Sequence, residues 1–280
     1  MEIKVWGCRG SISTPGRSTL RYGGNTTCLE IRLNDNTLII IDAGSGIREL
    51  GKKLLEERDL TEIYLFLTHA HWDHLTGFPF FAPAYLNKYK IYARGCPCAK
   101  SSLEDYLKHQ MTPPYFPVPF NAMNAEFDST SDDPKESSIG SAKIIPVPLN
   151  HPDGGCGFKI IEEGKVFVFL TDNELDFRHE DGMSRDGYID FSRGADLLMH
   201  DAQYTDEEYR KTKGWGHAKF SSATELSIKA EVKHFGLVHH DPDHTDDNID
   251  GLVASCQEMI AEANSKVECF GVSEGMEIVV

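Results

Sequence analysis

The stretch that most constrains this chain is Thr68-His69-Ala70-His71-Trp72-Asp73-His74, which follows the apolar run Ile63-Tyr64-Leu65-Phe66-Leu67. Such a run reads as a strand buried on both faces, and Leu75-Thr76-Gly77 then turns the chain. Three imidazoles and a carboxylate within six positions, at a buried strand's exit, make a metal-ligand density. His is the commonest metal ligand, and Asp adds the oxygen donor that suits Zn²⁺ or Mn²⁺. His69 and His71 can converge from an extended backbone, whereas Asp73 and His74 follow on a turn and can aim elsewhere. One stretch can therefore feed two neighbouring metals. The bland alternative is a surface His cluster with no partner, and a buried strand rarely ends in four such side chains by accident.

The remaining composition narrows the class. A chain of 280 residues can bury a substantial core in one α/β domain. Asp and Glu outnumber Lys and Arg by 44 to 28, a net charge of −16. That balance argues against long nucleic acid as a partner, since such binding rests on Lys and Arg neutralising phosphates. No apolar stretch reaches the roughly 18 residues of a membrane span, and Met1-Glu2-Ile3-Lys4-Val5-Trp6 lacks a signal-peptide core. The expectation is a cytoplasmic protein. The seven cysteines have no repeated spacing and read as free thiols, largely in the core. Cys96-Pro97-Cys98 has no second pair nearby and reads as loop rather than as a metal or redox pair.

Along the chain, 2–6, 27–33 and 37–41 read as strands. Gly7-Cys8-Arg9-Gly10-Ser11, Thr14-Pro15-Gly16-Arg17 and Arg21-Tyr22-Gly23-Gly24-Asn25 are either turns or a basic rim able to hold a phosphate. Ile41-Asp42-Ala43-Gly44 ends a strand before a helix near 46–57, with Ile47, Leu50, Leu54 and Leu55 at helical spacing. Asp42 alone reads as a cap or turn residue. Beyond the His stretch, a strand at 89–93 precedes an excursion (94–140) that holds a helix near 101–110 and the Pro- and Phe-rich 111–140 tract. It is expected over or near the active site, or in a homodimer contact. Strands at 142–149, 156–161, 166–170, 196–202 and 235–241 end in His151, Asp172, polar residues and His239-His240. Helices near 220–231 and up to 262, with strands near 266–271 and 275–279, complete the sheets.

The H-x-H-x-D-H motif after a hydrophobic strand resembles the metallo-β-lactamase superfamily. That resemblance implies an α/β fold, an αββα four-layer sandwich, over a single domain spanning 1–280. It implies Asp42 as a carboxylate supporting the metal loop, and His151 and Asp172 as ligands by their order and context. The Trp215-Gly216-His217-Ala218-Lys219 block, its helix and the strand ending at His239 are similar to the branch holding ribonuclease Z and small cyclic-phosphate phosphodiesterases. There, His217 falls on the catalytic His and His239 on the last ligand, with His240 as rival. Ala218-Lys219 departs from that branch's Ser-Thr.

The resemblance thus implies two divalent metals, Zn²⁺ or Mn²⁺ with Fe²⁺ possible. His69, His71 and His151 hold the first; Asp73, His74 and His239 hold the second; Asp172 bridges them. Two cations about 3.5–4 Å apart lower the pKa of a shared water, and the resulting hydroxide attacks phosphorus. Asp73 and His217 take the catalytic roles, His217 as the general acid–base group. The expected function is hydrolysis of a small phosphodiester such as a cyclic nucleotide or cyclic sugar phosphate. Alternatives on the same scaffold are a tRNA 3′-end endonuclease and a carboxylic ester, lactone or thioester hydrolase. A metal-bound sensor without catalysis is the reading from another class.

Overall fold

The computed structural model describes residues 1–95, 103–129 and 136–280. Its strands fall into two successive sets. The first is β1 (Glu2–Gly7), β2 (Cys28–Arg32), β3 (Leu38–Ile41), β4 (Glu62–Phe66), β5 (Lys90–Arg94) and β6 (Glu126–Asp128). The second is β7 (Ser137–Ile139), β8 (Ala142–Pro148), β9 (Cys156–Glu162), β10 (Lys165–Leu170), β11 (Leu197–Asp201), β12 (His234–Val238) and β13 (Glu268–Gly271), after which β14 (Glu277–Val279) returns to β1. Among the described residues they build two seven-stranded sheets, β14-β1-β2-β3-β4-β5-β6 and β13-β12-β11-β10-β9-β8-β7. Each sheet begins antiparallel and turns parallel, from β3 onward in the first and from β10 onward in the second. The halves repeat one plan.

Helices cover the outer faces: α1 (Ile47–Leu54), the single turn α2 (Trp72–Leu75) and α3 (Leu103–Gln110) on one side, then α4 (Arg185–Ser192), α5 (Asp206–Thr212), α6 (Phe220–Lys229) and α7 (Asp246–Glu262). Strand alternation explains the layering. In β3, Ile39 and Ile41 face the core between the sheets with Phe158, Phe167 and Phe169, while Leu38 and Ile40 meet Ile47, Leu50 and Leu54 of α1. In β10, Phe167 and Phe169 point inward and Val168 and Leu170 outward, into a cluster with Tyr188 and Leu226. Strands covered on both faces have no polar side, which is why they read as unbroken apolar runs. The fold is the expected αββα sandwich.

The sequence reading did not include β6, β7, α4 or α5. The last carries a capping box, Thr205 with Glu208, whose T-x-x-E signature is visible in the sequence. Residues 103–129 pack on the outer face of the first sheet, where Leu107, Met111 and Met123 join Phe78 and Phe81. Cys8, Cys28, Cys256 and Cys269 are free and buried. Cys156 is disulfide-bonded, which corrects the free-thiol reading at that position. Cys96-Pro97-Cys98 lies outside the described residues. No described helix is long and apolar enough to cross a membrane.

Candidate metal centre

The site forms where strand exits meet. His69, His71, Asp73 and His74 follow β4, His151 follows β8, Asp172 follows β10 and His239 follows β12. His217 lies on the connection from α5 to α6. Three of the residues that follow strands here have left-handed backbones: Asp42 after β3 (φ 64°), Asp172 (φ 50°) and His239 (φ 62°). Non-glycine residues adopt this conformation at a cost of order 1–3 kcal/mol. Each one turns the chain sharply at the end of a strand.

The donor atoms converge in two sets that share a carboxylate. His69, His71 and His151 present ring nitrogens within 4.8 Å of one another, as do the donors of Asp73, His74, Asp172 and His239. Asp172 Oδ2 lies 3.2 Å from His74 Nε2, and its Oδ1 lies 3.3 Å from His239 Nε2 and 3.7 Å from His69 Nε2. Asp73 Oδ2 is 3.2 Å from His74 Nε2 and 3.1 Å from His239 Nε2. His151 Nε2 sits 3.1 Å from His71 Nδ1. All seven sequence-derived ligand candidates are therefore gathered in one place. His217 lies beside them, stacked 4.9 Å from the His239 ring.

The residues behind these imidazoles decide which nitrogen faces the centre. His74 Nδ1–H donates to Asp42 (2.8 Å), His151 Nδ1–H to the Gly216 carbonyl (3.0 Å) and His239 Nδ1–H to Gln203 Oε1 (2.9 Å). Each leaves its Nε2 lone pair free for a cation, the support usual for metal-bound His. The buried Nε2 atoms of His69 and His74 have no hydrogen-bond partner. Buried polar atoms without partners are costly, and a cation in each donor set would remove that cost. Space is reserved as well. A Cβ on Gly10 would overlap the His239 ring, and one on Gly216 (φ 96°) would overlap His151 Nδ1.

Charge points the same way. Burial alone would raise the carboxyls of Asp73 and Asp172, yet His74 and His239 hold both well below their ordinary values. Burial likewise works against positive charge on His74 and His239. Their carboxylate neighbours nevertheless hold His74 well above the imidazole range and His239 up to about 9. Burial pushes His151 down to about 4 and His69 well below the ordinary range. The cluster demands positive charge at its middle, and an all-N/O donor set suits Zn²⁺, Mn²⁺ or Fe²⁺. These residues fit divalent metal ions.

Beside the cluster lies an open cavity of about 260 Å³ lined by Ser11, His71, Trp72, Asp73, Asp172, His217 and His239. No Lys or Arg among the described residues lines it. The basic-rim reading accordingly changes. Arg9 is fully buried and donates to the carbonyls of Gly23, Asp241 and His244, clamping two loops together. Arg21 pairs with Asp247 and Asp250. His240 turns away and donates to the Val272 carbonyl at 2.8 Å.

The sequence reading gave no role to three residues that hold the site together. Asp201, at the end of β11, accepts from His217 Nδ1–H at 3.1 Å and from the Ala218 N–H at 3.2 Å. Gln203 backs His239. Glu174 is fully buried and accepts from Tyr209 Oη (2.6 Å), Gly214 N (2.7 Å), Gly216 N (2.8 Å) and His179 Nε2 (3.0 Å). It ties the loop carrying Gly216 and His217 to the exit of β10. The signal present was a polar cluster ending each buried strand, Thr171-Asp172-Asn173-Glu174 and His200-Asp201-Ala202-Gln203.

An αββα sandwich carrying two sets of His and Asp donors at one edge defines a class, the metal-dependent hydrolases of this fold. The chain belongs to the β-lactamase superfamily, since residues 37–260 match the model of the "Beta-lactamase superfamily domain". It is 23% identical to a ribonuclease Z of Trichodesmium erythraeum over 89% of this chain and 86% of that one. Its fold is similar to that of yeast PDE1 (TM-score 0.69, 15% identity, 100% and 99% of the two chains covered). It is also similar to that of a diphosphatase from the PhnP family (TM-score 0.68, 17% identity, 100% and 97% covered).

Proposed function

We propose that this protein hydrolyses a small phosphodiester, with two divalent cations, Zn²⁺ or Mn²⁺, held by His69, His71 and His151 on one side and Asp73, His74 and His239 on the other. Asp172 stands between the two sets. Cations bound there supply Lewis acidity and acidify water near neutral pH. The observation that carries the reading is His217 on the cavity wall with Asp201 buried behind it. With its Nδ1–H donated to Asp201, His217 keeps Nε2 for proton exchange with the leaving oxygen. General acid–base help of this kind is typically worth about 10²–10⁴-fold. Asp73 is steadied by the Ser11 N–H, which donates to its Oδ2 at 2.9 Å.

The names of its relatives also support cleavage of phosphorus–oxygen bonds. They equally support a second reading, tRNA 3′-end cleavage. Against it stand a cavity without Lys or Arg and a net charge of −16, since tRNA binding needs neutralised phosphates. We further take 1–280 as one hydrolase domain, supported by the single core that both sheets share. The exposed Tyr115 supports a homodimer contact at the 111–140 tract. Four free buried thiols favour the cytoplasm, while the bonded Cys156 counts against it.

The test is a panel of bis(p-nitrophenyl) phosphate, cyclic nucleotides, cyclic sugar phosphates, p-nitrophenyl acetate, a lactone and a tRNA precursor, offered to protein loaded with Mn²⁺ or Zn²⁺. Small diesters should turn over fastest and Asp172→Ala should remove the activity. His217→Ala should lower kcat by about 10²–10⁴-fold at unchanged metal content. Faster turnover of the acetate, lactone or tRNA would overturn the assignment.

A further inference from the structure

The cavity has one apolar wall. Trp72 opens α2 between two side chains of the metal cluster, yet its own ring is 83% exposed. Its three successors in the helix, Asp73, His74 and Leu75, are all buried. The backbone at this point is fixed. The His74 N–H donates to the His71 carbonyl (3.1 Å) and the Thr76 N–H to the Trp72 carbonyl (2.7 Å). The indole N–H donates to no described residue, and no described ring packs on the indole. A single exposed aromatic needs no explanation on an open surface. Here it lines a cavity whose other walls are Ser11, His71, Asp73, Asp172, His217 and His239.

Those walls handle a phosphate and its cations, and no Lys or Arg shares the work. Recognition of anything beyond the phosphate falls to the indole face. At about 260 Å³ the cavity is just below the roughly 300–1,000 Å³ usual for small-molecule sites. It suits a phosphodiester with one further group, and the group an indole face selects is planar and π-rich. Resting on the phosphodiester reading, we propose that Trp72 is the stacking platform for a nucleobase, which makes the substrate a nucleoside phosphodiester and Trp72 its specificity determinant.

Two measurements decide this. Kinetics of 2′,3′-cyclic AMP and of base-free cyclic glycerophosphate are compared in Trp72→Ala and Trp72→Phe. The KM of the nucleotide should rise about 5- to 150-fold in the alanine variant, as expected for a lost base stack, while the KM of the glycerol ester and both kcat values hold. Phenylalanine should restore most of the loss. Equal effects on both substrates, or none on either, would overturn the proposal. The second measurement needs no turnover: AMP should quench tryptophan emission in the wild type and in Trp215→Phe, whose exposed Trp215 lies outside the cavity lining, but not in Trp72→Phe. If no diester is cleaved, the phosphodiester reading fails while the quench still judges the platform. A quench that survives in Trp72→Phe sinks it.

Discussion

The two halves of the sandwich serve the same centre in opposite ways. The first half contributes His69, His71, Asp73 and His74 from a single turn after β4, backed by one carboxylate. Asp42 accepts from the Thr68 N–H (2.8 Å), the Thr68 hydroxyl (2.9 Å) and His74 Nδ1–H (2.8 Å). The second half contributes His151, Asp172, His217 and His239 from four separate segments. Each imidazole there has its own support: the Gly216 carbonyl, Asp201 and Gln203. One side is a preassembled unit with a shared prop; the other is a set of parts in which each imidazole has a prop of its own, while Glu174 joins the loop of Gly216 and His217 to the exit of β10. A lesion in the unit should spread, and a lesion among the parts should stay local.

Among the groups that only prop the centre, the largest effect is accordingly expected from Asp42→Ala. It strands three buried donors, each left unsatisfied at a cost of about 1–3 kcal/mol. Since the Thr68 hydroxyl is also 3.1 Å from His69 Nδ1, the damage should reach both donor sets. Metal analysis should show both ions weakened, and kcat should fall by up to about 100-fold. Weakening of one ion alone would show that the stretch is not a unit. Gly216→Ala is the counterpart. Its methyl meets the His151 ring at a left-handed backbone, so the set containing His151 should lose about 10–100-fold in metal affinity. The set of Asp73, His74 and His239 should hold, as titration with Mn²⁺ can tell. Equal loss at both would dissolve the contrast.

The same difference explains what could be read in advance. Four donors in six consecutive residues are a signal by themselves, because local spacing places them together. His151 or His217 alone is an ordinary polar residue. Only resemblance to a family pattern singled them out, and it did so without their supports. Asp201 acts on His217, 16 residues on, and Glu174 on Gly216, 42 residues on, so no local pattern carries their roles. Arg9 stayed open between a turn residue and a phosphate-holding rim for a related reason. An arginine in a glycine-rich loop reads as a surface cation, but three carbonyls from distant loops meet its guanidinium and bury it. Strands were legible where both faces are apolar, whereas β6 and β7, with three residues each, are too short to show a period.

The contrast also needs a buried carboxylate that supports structure without touching the centre, and Asp196 supplies it. It sits just before β11, at the end of that strand opposite Asp201. It accepts from the Val166 N–H (2.9 Å) and pairs with Lys233 (2.7 Å). Burial by itself would raise its carboxyl, but Lys233 and the Val166 N–H outweigh burial and hold it below its ordinary value. The sign follows from that direction. With the folded value below the unfolded one, about 3.9 for Asp, the ionised form stabilises the fold at neutral pH. That contribution is lost as acid takes the pH down through the folded value. Asp196→Asn should therefore cost about 1 kcal/mol at pH 7, and pH-dependent unfolding should show a shallower acid limb. Lys233 and Lys165, which lies 3.6 Å from Asp196, are both largely exposed, which keeps the figure small. Metal content and kcat should stay at wild-type levels, because no atom of Asp196 is within bonding reach of a donor to the centre. If Asp196→Asn instead lowered metal occupancy as Asp42→Ala is expected to, the loss in Asp42→Ala would reflect general destabilisation, and the picture of a locally propped first half would fail.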